Sequence, residues 1–252
     1  MKQYEAVIET LERLGGAATL GQLYNHVFDI DSCTWNTKTP FASIRRIVQT
    51  RPEIFKIRPG LWGLESYRKK LENNGIAPRL CKNAPQEDER FTHSYFQGLL
   101  LYLGALKNYQ TYSPPQDKNK LCVGTKLNDI STIRRLPPYS YPELVKRSST
   151  IDAIWLTAYG KEKDLLMPQA FFEVEHSTNI QDSLLKFMDL EGFSTRMVIV
   201  ADKKRRDEFL AKLKFNAFRP LNENNRVEFL SYDTLVAIYE KESELASLNF
   251  RL

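Results

Sequence analysis

Beyond Ser149 the chain alternates between two periodicities, and this alternation limits the possible folds more than any other feature. IDAIWLT, QAFFEVEHS, RMVIVAD and RVEFLSY are short runs rich in β-branched and aromatic residues, as buried strands are. NIQDSLLKFMDLEGF, KKRRDEFLAKLKF and DTLVAIYEKESEL instead repeat apolar residues at helical spacing. Strand and helix in alternation form a layer whose sheet is at least partly parallel, with helices packed on its faces. The predicted class is α/β, and α+β overall once the preceding segments are included.

Inside that pattern, AFFEVEH carries the chemistry. A strand's period of two puts Glu173 and Glu175 on one face, with Phe172 and Val174 on the other. Adjacent carboxylates repel unless one is protonated, basic groups neutralise them, or a divalent metal sits between them. Asp152 supplies a third carboxylate if its strand pairs with this one through a turn between Tyr159 and Pro168. Three oxygen donors around one point suit Mg²⁺, a hard cation. The alternative is a salt-bridged strand, with Glu173 and Glu175 paired to Lys203–Arg206. The apolar flanks Phe171, Phe172 and Val174 weigh against it, because unpaired charge is costly in a buried strand.

Asp152 followed by Glu173-Val174-Glu175 on consecutive strands, and then by a helix, resembles the PD-(D/E)XK nuclease superfamily of restriction endonucleases over about residues 87–240. Asp152 matches the family's Asp, Glu173 its Asp/Glu, and Glu175 stands where the family usually has Lys. The resemblance implies that Asp152, Glu173 and Glu175 are catalytic and that Asp152 and Glu173 hold Mg²⁺. Such a metal polarises the scissile phosphate and lowers the pKa of a bound water. Glu175 would orient that water or bind a second metal. Lys186 on the following helix either reaches back in place of the missing lysine or points into solvent. His176, Ser177 and Thr178 either contact phosphate or serve the helix that begins near Asn179, with Thr178 as its cap. Glu87 and Glu89 are either an extra acidic element of such a site or linker charge.

The first 66 residues read differently. KQYEAVIETLERLGG is a helix ended by glycines, and ATLGQLYNHVF is a second helix capped by Thr19 and carrying His26 in a surface or half-buried structural role. TKTPFASIRRIVQTRPE is a third, opened by Thr39 as cap and Pro40 at its first position. IFKIRPGLWGLE then alternates around Pro59-Gly60, as a hairpin does. Three helices and a hairpin is the winged-helix order, and TPFASIRRIVQTRPEIFKIRPGLWGLE resembles the HARE-HTH group of winged helices. That resemblance implies DNA contact. Arg45, Arg46, Arg51, Lys56 and Arg58 lie on the third helix and wing, the elements that meet the major groove and the backbone in such folds. The competing reading makes them a solvated face of a protein-interaction domain.

The expected domains are residues 1–66, a winged helix; 67–86, a polar linker; and 87–252, the nuclease-like domain. The latter opens on a helix with a buried stripe of Leu99, Leu100, Leu103 and Leu106, followed by a loop-rich segment from Ser113 to Tyr141.

Charge and composition narrow the partners. A net charge of +5 fits a polyanion such as double-stranded DNA. No apolar run approaches the ~18 residues of a membrane span, and nothing near Met1 has the pattern of a signal peptide, so the expected location is cytoplasmic. Cys33, Cys81 and Cys122 suit reduced thiols, and His26, His93 and His176 are not spaced as zinc ligands. Neither a phosphate-binding GxxxxGK[ST] loop nor a dinucleotide glycine fingerprint is present, which speaks against ATP hydrolysis and nicotinamide chemistry. The sequence therefore predicts a Mg²⁺-dependent, ATP-independent endonuclease of type II restriction type acting on duplex DNA, with a separate methyltransferase protecting the host. One acidic cluster per chain and two strands to cut imply a homodimer at least on DNA, or a monomer that nicks sequentially. The alternative function is a DNA-binding regulator or defence subunit whose nuclease-like domain is inactive.

Overall fold

The computed structural model describes residues 1–78, 85–139, 141–160 and 165–249, the side chains of 85–90 and 249 excepted. Two compact units result, Met1–Asp88 with Val236–Leu252, and Glu89–Leu235.

The first unit runs α1 (Gln3–Arg13), β1 (Ala17–Thr19), α2 (Leu20–His26), α3 (Pro40–Thr50), β2 (Ile54–Arg58), β3 (Leu61–Leu64) and α4 (Arg68–Asn73). α1 stops because Gly15 and Gly16 take φ of 88° and 94°, and a Cβ on Gly16 would meet the Tyr67 ring. A capping box opens α2, with Thr19 accepting from the Gln22 amide and the Gln22 side chain answering the Thr19 N–H. Pro40 starts α3, but the Thr39 side chain makes no capping hydrogen bond, contrary to expectation. The hairpin gains a third strand, giving the antiparallel order β1-β3-β2, with a register shift between Lys56 and Arg58. Val7, Leu11, Leu23, Tyr24, Phe41, Ile44 and Val48 bury the inner faces of the three helices together.

The second unit runs α5 (Pro85–Leu106), β4 (Gln110–Tyr112), β5 (Leu121–Cys122), β6 (Thr125–Lys126), α6 (Leu127–Ile130), α7 (Pro142–Ser148), β7 (Ala153–Tyr159), β8 (Leu165–Glu175), α8 (Ile180–Met188), β9 (Arg196–Ala201), α9 (Arg206–Leu213), α10 (Arg219–Glu223) and β10 (Val227–Ser231), and leads into α11 (Tyr232–Asn249). Its five-stranded sheet has the order β10-β9-β8-β7-β4. β8, β9 and β10 are parallel, whereas β7 is antiparallel to both its neighbours, so the molecule is a mixed α/β protein, α+β overall. β8 lies in the middle and is buried along most of its length. Its Phe171 packs with Ile180, Leu184 and Phe187 of α8. On the opposite face Phe172 meets the Trp155 ring at 4.6 Å, and the Trp155 indole donates to the Leu100 carbonyl of α5 at 2.9 Å. Pro168, which has no N–H to offer a ladder, falls where the β7–β8 register shifts.

The expected boundaries differ in two places. The segment read as a linker holds α4, with Leu71 and Ala77 buried, because Leu71 packs against the hairpin at Gly63 instead of running free. At the other end, α11 from Val236 onward belongs to the first unit: Tyr239 reaches the Thr19 hydroxyl at 3.3 Å, and Ser247 donates to Asn25 at 2.7 Å. Gly21 is required there, since a Cβ would lie 2.6 Å from Ser243 Oγ and 2.7 Å from the Tyr239 hydroxyl. The segment read as loop-rich contains β5, β6 and α6, tied down by Ser113 and Ser131, whose hydroxyls lie 2.9 Å apart. Among the described residues no helix is long and apolar enough to cross a membrane.

Candidate active site

Strand register brings the acidic residues together. Ala153 lies opposite Phe172, so continuing the antiparallel ladder by one step sets Asp152 beside Glu173. The turn expected to link these strands includes residues 161–164, which lie outside the described residues. Asp152, Glu173 and Glu175 are 8%, 2% and 4% exposed, which makes all three buried carboxylates in need of partners.

Helix α8 supplies most of them. Asn179 caps it, its side chain accepting from the Gln181 N–H at 3.1 Å; Thr178, expected in that role, turns instead to donate to Glu175. Ser183 and Lys186, one turn apart and on the side of α8 that faces β8, both serve the carboxylates. Ser183 Oγ contacts Glu175 Oε1 and lies 3.1 Å from Glu173 Oε2, while Lys186 Nζ donates to that same Glu173 oxygen at 2.7 Å. Lys186 therefore reaches back to the carboxylates. Lys203–Arg206 do not neutralise them: Arg205 donates to the carbonyls of His176 at 3.1 Å and Thr178 at 2.6 Å, pinning the loop after β8. The Tyr232 hydroxyl fixes the strand end by donating to the Glu175 carbonyl at 3.2 Å.

Helix α5 supplies the remainder. His93 Nε2 lies 3.1 Å from Asp152 Oδ2, which also accepts the Val174 N–H at 2.8 Å. One turn on, Gln97 donates to the Asp152 carbonyl at 2.6 Å and to the buried Asp117 at 3.0 Å, and Asp117 pairs with Lys120 at 2.6 Å. His93, Gln97 and Asp117 were not singled out from sequence. The visible signal was a polar pair at i, i+4 just before the apolar half of that helix. Glu87 and Glu89 fall on α5, but their side chains lie outside the described residues.

The carboxylates are tuned in opposite directions. Burial pushes Asp152 up, but the hydrogen bond and charge of His93, the Val174 N–H and Lys186 outweigh it and hold Asp152 below the usual carboxylate range. Burial and the Asp152 charge push Glu173 well above that range, against the pull of Lys186 and with further repulsion from Glu175. For Lys186 burial acts downward, but the Glu173 charge and hydrogen bond prevail and keep it protonated. Asp152 holds His93 above the ordinary imidazole value despite its burial.

The hydrogen bonds leave a specific gap. Among the described residues both donors to Asp152 use Oδ2, both donors to Glu173 use Oε2, and Glu173 Oε1 is buried without a hydrogen bond. A bare carboxylate oxygen beside a second carboxylate fits a hard divalent cation. Among the described residues no three His, Cys, Asp or Glu side chains form a group that can hold a metal, so three carboxylates around one point do not occur. Thr178 and Ser183 engage Glu175, which leaves Asp152 and Glu173 as the oxygen pair.

The five basic residues expected to meet DNA separate by environment. Arg45 donates to the Tyr24 hydroxyl at 3.0 Å and lies 3.9 and 3.8 Å from Glu240 and Glu244 of α11. Arg51 pairs with Glu53 at 3.2 Å and stacks 3.7 Å over the Tyr4 ring. Arg58 is half-buried before the Pro59-Gly60 turn. Arg46 and Lys56 are exposed and join no ion pair within 4.0 Å among the described residues.

No curated protein and no solved structure matches the chain. The family model described as "Type II restriction enzyme NmeDI C-terminal domain" does match it, across residues 77–251, a span that includes every side chain of the acidic site. The chain therefore belongs to the family of the type II restriction enzyme NmeDI C-terminal domain, and its acidic site lies in a restriction-enzyme-like domain.

Proposed function

We propose that the protein is a Mg²⁺-dependent endonuclease of type II restriction type that hydrolyses phosphodiesters in duplex DNA. The second unit would be a PD-(D/E)XK-like nuclease and the first a winged-helix DNA-binding module. The observation that carries the reading is Glu173: a carboxylate 2% exposed, beside Asp152, with Oε1 left bare while Oε2 takes two donors. A buried carboxylate oxygen without a donor leaves a lone pair free for a cation. Asp152 and Glu173 would hold the metal, which supplies Lewis-acid polarisation of the phosphate and a more acidic water.

The surrounding residues have definable work. His93 and the Val174 N–H orient Asp152 by occupying one of its oxygens, which directs the other away from them. Lys186 brings a cation to the carboxylates from α8, the charge that the superfamily resemblance expects at position 175. Glu175, anchored by Thr178 and Ser183, holds the loop and helix against the strand end and shares the Ser183 hydroxyl with Glu173. Because each chain has one such site, cutting both strands calls for a dimer on DNA. A separate methyltransferase would protect the host sites.

The test is incubation of the purified full chain with plasmid and phage DNA, with and without Mg²⁺. Cleavage is expected only with the metal, and Asp152→Asn or Glu173→Gln should abolish it while DNA affinity holds. Mg²⁺-dependent cleavage that persists in both variants would move the reaction to another site. DNA binding without cleavage of any substrate would favour the regulatory alternative.

A further inference from the structure

The side chains of α3 divide into two faces, and the division assigns roles that sequence spacing leaves mixed. Phe41, Ile44 and Val48 are buried in the core. Arg45 is turned toward α2 and α11, where Tyr24, Glu240 and Glu244 receive its guanidinium. Ala42, Arg46 and Gln49 are exposed, at i, i+4 and i+7, and so form one outward stripe along the helix. Arg46 offers five N–H donors and has no acceptor for them among the described residues, although Arg45 and Arg51 on either side both have partners. Ala42 keeps the start of the stripe low, so that a surface can approach the helix closely.

We propose that this stripe reads base edges in duplex DNA, with Arg46 and Gln49 as the specificity-determining side chains and Arg45 as a positioning residue that fixes α3 in its own unit. The inference rests on the reading of the first unit as a DNA-binding module. The occupant follows from the donor chemistry. A guanidinium fork matches the O6 and N7 acceptors of guanine, and a carboxamide matches the N6–H and N7 of adenine, both accessible to a helix lying in the major groove. Lys56, exposed on the adjacent hairpin and a single flexible cation, has the character of a backbone contact instead.

Selection from a randomised duplex library by the full chain, in buffer without divalent metal, tests the assignment. Wild-type protein should enrich a defined motif. Arg46→Lys keeps the charge but loses the fork, and should relax one guanine position, with roughly a ten- to hundredfold loss of affinity for the enriched site and an unchanged salt slope. Gln49→Ala should relax a neighbouring adenine position. Lys56→Ala should weaken binding to all sequences alike and reduce the salt slope by about one. Arg45→Ala should lower the thermal midpoint without altering the motif. If Arg46→Lys and Gln49→Ala enrich the wild-type motif unchanged, or the wild type binds duplex without enriching any motif, the stripe does not read bases. If the wild type binds no duplex at low salt, the DNA-binding reading of the unit falls with it.

Discussion

Removing the cation from the acidic site should have a cost that depends on pH in a particular way. Lys186→Met keeps the length and apolar stem of the side chain but takes away the partner that donates to Glu173 at 2.7 Å. A hydrogen bond to a charged group contributes about 1.5–3 kcal/mol. There is also a ceiling, because Glu173 can escape by taking a proton. At pH 7, protonating a glutamate whose ordinary value is 4.5 costs roughly 3 kcal/mol, and because the folded value of Glu173 already stands well above 4.5 the ceiling on the loss lies below that figure. The sign follows from linkage. Burial and Asp152 raise the folded value of Glu173, so the native state binds more protons than the unfolded state between 4.5 and that raised value, and stability falls as pH rises across this window. Without Lys186 the folded value rises further and the window widens upward. The expected loss is therefore about 1–2 kcal/mol at pH 7 and about 0.5 kcal/mol or less at pH 4.5, where the native carboxyl is already protonated and has no charge for Lys186 to answer. Urea unfolding read by Trp155 fluorescence, with Trp35 and Trp62 replaced by Phe, isolates the second unit. Lys186→Met/Glu173→Gln should recover most of the loss, since the buried charge leaves with its partner. Equal destabilisation at both pH values would show that Lys186 acts through packing, and no destabilisation at either would show that the contact is absent.

The other expectations are simpler. His93→Ala frees the Asp152 carboxylate to turn, so Mg²⁺-dependent cleavage should fall about ten- to hundredfold with DNA affinity intact, and a variant that cleaves at the wild-type rate refutes the positioning role. Gly21→Val forces a branched side chain into Tyr239 and Ser243, so the first unit should lose about 1–3 kcal/mol, and an unchanged thermal midpoint would contradict the packing of α11 against α2. Burial pushes the Cys122 thiol up to about 12, so it should resist an aromatic disulfide reagent at pH 8 until urea unfolds the second unit, and prompt labelling of the native chain at Cys122 would contradict its burial.

What the sequence disclosed, and what it concealed, follows from the range of the interactions. The alternation Phe172-Glu173-Val174-Glu175 is legible because a strand's period is two and each residue carries its own face. The pairing of Asp152 with Glu173 is legible because antiparallel neighbours joined by a short connection have few possible registers. Helical periodicity is less informative, since it shows which stripe of a helix is buried but not what it is buried against. Hence Leu99, Leu100 and Leu103 of α5 were expected in the core, while His93 and Gln97, which point at Asp152, passed as incidental polar residues in an apolar run. The same ambiguity hid the end of α11, whose pattern is that of any helix on an α/β layer; its packing on α2 shows in the Thr19–Tyr239 and Ser247–Asn25 contacts and in Gly21, which has no room for a Cβ beneath Tyr239. Arg45 and Arg46 are neighbours in a basic run with no distinction in composition, and the helix rotation of about 100° between them separates a tethered guanidinium from an exposed one.

The departure at position 175 is intelligible on the same terms. The superfamily resemblance expects a lysine two residues after Glu173, on the same face of the same strand. In this chain that position meets the hydroxyls of Thr178 and Ser183, which turn the end of β8 into the cap region of α8 and are served by an acceptor. A cation there would share the buried Glu173–Ser183 cluster with Lys186, already seated 2.7 Å from Glu173. Two ammonium groups sharing one buried carboxylate would repel each other, as two carboxylates around one proton do. Glu175 and Lys186 are thus a consistent pair: once the positive charge enters from the helix, the strand position is better filled by an acceptor that fixes the helix in place. Under the proposed nuclease reading Lys186 would bring that charge from α8, one turn beyond Ser183, at the helical spacing that also brings Ser183 to both glutamates.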